Sequence, residues 1–260
     1  MVSMDMKSLF ASHLKEEVGL LDSTIEQYLH RCLTWERLTG KPMSEVTAED
    51  AKALKRDPNI SPAYTKNLIV TLHSFHKFGA SEGFWELNGI MLVGSPRRVE
   101  HNTEPPLHLD QARALLKACR RPLEYRLVYL GFYALTRAGE SAALRATHWK
   151  WDRLCFRHEK SLLLASIPIH PALQSVKPLI LACSPYDRSG LRRAKDALVE
   201  RIGFHFIAHQ LRRTSASLLY DQEVPDEVIG KLLGHSGSVT RVYAPVSDDK
   251  QRRAILMLPY

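Results

Sequence analysis

The chain has 260 residues, enough for one large domain or two ordinary ones, and its 45% hydrophobic content can build packed cores. The 36 Lys and Arg against 28 Asp and Glu leave a net charge of +8, which favours a polyanionic partner. Four widely spaced cysteines (Cys32, Cys119, Cys155, Cys183) without a CxxC pair argue against a zinc site or a disulfide framework, and no apolar run reaches membrane-spanning length.

The charge is uneven. Residues 1–100 carry 12 basic and 13 acidic side chains, a net of −1, which leaves 24 against 15, or +9, for residues 101–260. The main phosphate-binding surface is therefore expected in the second part. With no hydrophobic signal core near the N-terminus, the protein is expected to work in the cytoplasm, associated with the nucleoid.

The first ninety residues read as four helices. Leu9, Phe10, Leu14 and Val18 fall at helical spacing. Ser23, three residues before Glu26, reads as a capping box for a second helix with an apolar face of Ile25, Tyr28, Leu29, Cys32 and Trp35. Gly40-Lys41-Pro42 breaks it. Thr47-Ala48-Glu49-Asp50 opens a short helix that ends before Asp57-Pro58. Ser61-Pro62 starts the last one, with a buried stripe of Leu68, Leu72, Phe75 and Phe78 and a stop at Gly79 or Gly83. On its more polar side, Lys66, Asn67, His73 and Lys77 recur at near-helical intervals. They are candidate contacts to a polyanion, and a solvated face explains them almost as well. Residues 94–107 have no apolar period and contain three prolines, as an interdomain linker would. Arg97 and Arg98 within it are candidate phosphate contacts.

The second part opens with a helix at Leu109 and continues with one rich in Tyr125, Leu127, Val128, Leu130 and Phe132, ending near Leu135-Thr136-Arg137. Trp149–Trp151, Cys155–Arg157 and Leu162–Ile169 read as strands, with tight turns at Asp152-Arg153 and Glu159-Lys160-Ser161. Beyond Pro171 the pattern is helical again, with stops at Ser184-Pro185 and Gly203. Arg192, Arg193 and Lys195 form a basic cluster.

An ordered set of polar motifs runs through this part: Arg137-Ala138-Gly139-Glu140, Lys160 in a hairpin turn, His209-Gln210-Leu211-Arg212 opening a helix, Leu233-Gly234-His235 closing another, and Tyr243 shortly after. Arg-x-x-Glu alone is common, and the set in this order is far more specific. It resembles the tyrosine site-specific recombinase (phage integrase) family, well over residues 108–245 and more loosely over the N-terminal helices. The resemblance implies a mainly α chain with a small antiparallel β-sheet (α+β). Its expected domains are a helical core-binding (SAM-like) DNA-binding domain over 1–93, a linker over 94–107, and a tyrosine recombinase catalytic domain with a C-terminal tail over 108–260.

The resemblance also implies a chemistry that suits these residue types. Arg137 and Arg212 would bind the non-bridging phosphate oxygens and stabilise the pentavalent transition state. Tyr243 would be the nucleophile, forming a 3′-phosphotyrosine and freeing a 5′-hydroxyl. Lys160 would protonate the leaving oxygen, with Lys150 and Lys177 as rivals. His209 and His235 would hydrogen-bond the phosphate or help move protons. Glu140 would buttress an Arg or His. Arg213, where relatives often have His, joins the DNA-binding set. The mechanism implied uses no metal, no ATP and no cofactor.

The implied partners are double-stranded DNA attachment sites, a homotetramer passing through a Holliday junction, and accessory DNA-bending proteins, with no membrane. Tyr243 follows His235 by eight residues, one fewer than is common in the family, which leaves open whether it acts in cis or in trans. The apolar end, Ala254–Tyr260, would dock on a neighbouring protomer or pack on its own domain. Two other readings compete: DNA relaxation in the manner of a type IB topoisomerase, and a DNA-binding regulator that has lost catalysis.

Overall fold

The computed structural model describes residues 5–86, 89–94, 104–158, 163–185, 188–234 and 246–259. The chain divides into two compact units, Met1–Asn102 and Thr103–Tyr260. Arg97, Arg98, Lys160, His235 and Tyr243 lie outside the described residues.

In the first unit, α1 (Met6–Glu16), α2 (Asp22–Thr39), α3 (Ala48–Arg56) and α4 (Pro62–Ser81) enclose one core. The caps follow local chemistry. Thr47 and Asp50 close a reciprocal capping box on α3, and Ser61 caps α4 with Pro62 in its first turn. The expected box at Ser23 is not formed: Leu21 is the N-cap of α2 and Asp22 supplies the acid of its first turn. Gly40, at φ 69°, ends α2 in the left-handed conformation that favours glycine. Gly79 does not stop α4. It lies inside the helix, where an added Cβ would stand 1.8 Å from the Trp85 ring.

The core is aromatic. Phe10 meets Phe75 edge to face at 5.2 Å. Trp35 is fully buried and donates its indole N–H to the Leu68 carbonyl at 2.8 Å. Each such side chain contributes about 1.5–3 kcal/mol on burial. The opposite surface of α4 exposes Lys66, Asn67, Val70 and Lys77.

The second unit is helical around a small three-stranded antiparallel sheet of order β1-β2-β3: β1 (Trp149–Lys150), β2 (Arg153–Arg157) and β3 (Leu164–Pro168). Its alternation buries Leu154 and Phe156 against the core. Arg153, expected in a turn, begins β2 instead. The turn falls one residue earlier, where Trp151 takes φ 50° and stands almost wholly exposed. Helices α5 (Leu109–Ala118), α6 (Pro122–Tyr133) and α7 (Ala138–Ala143) precede the sheet. After it come α8 (Pro171–Ser175), α9 (Lys177–Leu181), α10 (Arg188–Ile202), α11 (Ala208–Asp221), α12 (Asp226–Leu233) and α13 (Asp248–Leu256).

Helix α6 is the spine of this unit, and α11 crosses it closely at Gly131, where an added Cβ would meet Leu211 at 3.2 Å. At the same crossing Ser215 donates to the Phe132 carbonyl at 2.6 Å. Arg126 is buried without a carboxylate partner among the described residues. It donates instead to the carbonyls of Ala142, Ile180, Cys183 and Ser184, which close the C-terminal ends of α7 and α9.

The C-terminal segment packs on its own unit. Ala254, Ile255 and Leu258 are buried, Tyr133 donates to the Pro259 carbonyl at 2.8 Å, and His170 meets the Leu258 carbonyl at 3.1 Å. Among the described residues, no helix is long and apolar enough to cross a membrane.

Candidate active site

The site is built where α6 ends. Leu135 takes φ 49°, a left-handed conformation that costs a branched side chain about 1–2 kcal/mol. The turn is held by the Thr136 amide on the Leu130 carbonyl at 3.2 Å and by the Thr136–Ser141 hydroxyl pair at 2.6 Å. It delivers Arg137 as the N-cap of the short helix α7.

Glu140 occupies the third position of α7 and folds back on that cap. Its Oε2 accepts the Arg137 backbone N–H at 2.7 Å, and its Oε1 accepts the Arg137 guanidinium at 2.7 Å. The Arg-x-x-Glu spacing is therefore a capping geometry as well as an ion pair. Arg137 keeps 21% of its side chain exposed while Glu140 keeps 1%, so the arginine faces outward from a buried anchor.

Arg212 comes from α11, one turn beyond its N-terminus. It is buried, and its two terminal nitrogens donate to the carbonyls of Leu135 and Leu233. One carbonyl precedes Thr136-Arg137 and the other precedes Gly234. A single guanidinium thus ties together turns about a hundred residues apart in sequence. It also lies 3.9 Å from the Glu140 carboxylate. Burial, and after it the Arg137 charge, lower the Arg212 guanidinium to about 10, with Glu140 pulling the other way. The group stays cationic at neutral pH.

Burial alone would raise the Glu140 carboxyl. Hydrogen bonds from His158 and Arg137 outweigh it and hold the group at about 2. Among the described residues, two guanidiniums against one carboxylate leave an excess positive charge, and Arg137 brings it to the surface, a suitable seat for an anionic group.

His158 is a site residue that sequence reasoning missed. It follows β2, its Nδ1 meets Glu140 Oε1 at 3.1 Å, and its side chain is 1% exposed. Its partner lies eighteen residues away across the fold. The local signal, a histidine two residues before Lys160 in the hairpin, pointed only to a turn.

The remaining expected residues divide. His209 is exposed in the first turn of α11, three residues before Arg212. Gln210 beside it is buried and ties the Pro105 carbonyl at 2.8 Å. Arg213 donates to the Glu104 carbonyl at 2.8 Å, and His73 meets the Ile90 carbonyl at 3.0 Å. Each of these two candidate DNA contacts thus makes a hydrogen bond within its own unit. Arg192 and Lys195 line a cleft of about 430 Å³ with Ala138, Gly139 and Ala208, next to Arg137 and His209. Lys160, His235 and Tyr243 lie outside the described residues, so the site described is its arginine–glutamate–histidine part.

No protein-family model matches the sequence, and no curated protein does. Solved structures do match in fold. A lambda integrase (residues 75–356) dimer bound to a COC′ core site aligns at TM-score 0.72 and 19% identity, covering 95% of this chain and all of that one. A lambda integrase tetramer bound to a Holliday junction aligns at TM-score 0.73 and 16% identity, covering 93% and 79%. The Tn1549 transposon integrase (residues 82–397), in complex with circular intermediate DNA, aligns at TM-score 0.57 and 15% identity, covering 96% and 99%. The chain has the tyrosine recombinase fold, mainly helical with a small antiparallel sheet.

Proposed function

We propose that the protein is a site-specific DNA recombinase that cuts and rejoins DNA through Tyr243. The observation that carries this is Arg212. On a fold shared with integrases, it fastens the Arg137 turn to the turn before Gly234-His235 and leaves a cationic site open to a phosphate.

In this reading Arg137 and Arg212 bind the non-bridging oxygens of the scissile phosphate and stabilise the charge that builds up as five oxygens surround phosphorus. Both terminal nitrogens of Arg212 already serve carbonyls, so each has a second N–H to offer. The Tyr243 phenol oxygen attacks phosphorus and its proton is released. The bond to the 5′-oxygen breaks, and Lys160 protonates that oxygen. The product is a 3′-phosphotyrosine, whose retained bond energy lets a 5′-hydroxyl from the partner strand reverse the step without ATP. His209 and His235 hydrogen-bond the phosphate, and Glu140 steadies Arg137.

The N-terminal unit grips the duplex with Lys66, Asn67 and Lys77, and Arg97 and Arg98 touch phosphate from the linker. The active assembly is a homotetramer on paired attachment sites that proceeds through a Holliday junction in the cytoplasm, with accessory bending proteins as further partners.

The test uses nicked duplexes tiled across the DNA that flanks the gene encoding this chain. A cut strand that loses a short fragment at the nick cannot be rejoined, so a covalent adduct accumulates. Wild-type protein is expected to form an adduct with one duplex, and Tyr243→Phe none. Relaxation of a supercoiled plasmid without strand exchange would favour the topoisomerase. Binding without any adduct would favour a regulator.

A further inference from the structure

His158 belongs to none of the recombinase motifs, yet it is more deeply buried than Arg137 and meets the same carboxylate oxygen. An ionised carboxylate can only accept, so Nδ1 donates, and the ring is fixed in orientation. Its Nε2 is buried with no hydrogen-bond partner among the described residues. That edge of the ring lies against the backbone of Gly234. A Cβ at Gly234 would stand 1.9 Å from Nε2 and 2.0 Å from Cδ2, and Gly234 also has φ 61°. The other flank rests edge-on against Phe156, centroids 5.2 Å apart. Its backbone N–H closes the hairpin on the Leu163 carbonyl at 2.9 Å. The ring is therefore wedged between β2, Glu140 and the glycine that ends α12.

We propose that His158 is a positioning residue for DNA cleavage: it clamps Glu140 so that the carboxylate anchors Arg137 from behind and leaves the outer edge of the guanidinium to the phosphate. This rests on the recombinase reading above. Without the histidine, Glu140 Oε1 loses the donor that holds it from the side away from Arg137, and the pull of the Arg137 guanidinium on that oxygen is less opposed. The arginine then pairs with its own glutamate at the expense of the phosphate. A packing residue would need only the ring's volume. A clamp needs the N–H at Nδ1.

The experiment uses the full chain and the nicked duplex that traps an adduct, made in two forms. One carries an ordinary scissile phosphodiester. The other carries a methylphosphonate, which lacks the negative charge that the Arg fork serves. His158→Leu is expected to bind the duplex as wild type does and to form adduct about 100-fold more slowly on the phosphodiester, the scale of a small misplacement of a catalytic group. His158→Asn, whose amide N–H can stand where Nδ1–H stands, is expected to regain the rate to within about threefold. On the methylphosphonate both variants are expected to match wild type.

A His158→Leu protein that keeps pace on the phosphodiester overturns the clamp, and so does equal slowing on both duplexes. If His158→Leu does not fold, His158→Asn decides alone: a rate near wild type supports the clamp, and a rate 100-fold down overturns it. A wild-type chain that forms no adduct on any duplex overturns the recombinase reading itself. A wild-type chain that cleaves beside an unimpaired His158→Leu overturns only the role of His158.

Discussion

Glu140 sets the electrostatics of the site. It is buried, it faces two arginines and a histidine, and its carboxyl is held at about 2 against an ordinary value of 4.5. A carboxylate whose folded pKa is depressed stabilises the fold above its unfolded value, and that contribution is lost as pH falls through the folded one. The window here runs from pH 4.5 down to about 2, and the shift corresponds to roughly 3 kcal/mol. Urea denaturation from pH 7 down to pH 2 should show Glu140→Gln less stable than wild type at pH 7 and nearly level with it at pH 2. Arg137 and Glu140 were legible in the sequence because their contact is local, three residues apart along one short helix. His158 was not, because a buried histidine reads like a turn residue until the strand that carries it is folded against α7. Nor could the carbonyl partners of Arg212 be read, since a backbone acceptor has no letter of its own.

Elements carried clearer signals. Pro62, the Thr47–Asp50 box and Gly40 each state a helix boundary in local chemistry, and the helices begin and end there. Ser23 failed as a cap because Asp22 already serves the first turn of α2 and the helix starts two residues earlier, with Leu21 as its N-cap. Arg153 was misplaced because the hairpin turns on Trp151 at a positive φ, an uncommon choice for a bulky residue.

The seat of α13 was legible as an apolar tail, and the docking partners were not. His170 is one of them. Its Nδ1 accepts the Ala172 N–H at 3.1 Å, so Nε2 carries the proton donated to Leu258. Burial lowers this histidine from its ordinary 6.5. A buried neutral histidine stabilises the fold above the unfolded value, and that contribution falls as pH drops below 6.5, where the unfolded chain takes up a proton. Hydrogen exchange should therefore find the amides of α13 less protected at pH 5.5 than at pH 7.5, after correction for intrinsic rates. In His170→Gln, that pH dependence should shrink.

At the scale of the molecule, charge asymmetry was the first clue, with +9 of net charge beyond residue 100 against −1 before it. The N-terminal unit still exposes Lys66 and Lys77 on one stripe of α4, and neither has a salt bridge among the described residues. If they sit on phosphates, replacing both with Ala should weaken binding on every duplex sequence alike. The log–log dependence of affinity on salt should become shallower by about 2, from the counterions no longer released. An unchanged slope would return this face to solvent. The fold class was readable because the helical periods and the short strands with their turns are local properties. The assembly was not, because no single chain spells out the contacts of its copies.

The central claim is that Tyr243 becomes joined to DNA, and it is tested most directly by locating the bond. The trapped adduct would be digested with nuclease and protease and the peptides weighed. The nucleotide mass is predicted on the peptide carrying Tyr243, joined through a 3′-phosphate. The same mass on any other of the nine tyrosines, or on no tyrosine, would contradict the account.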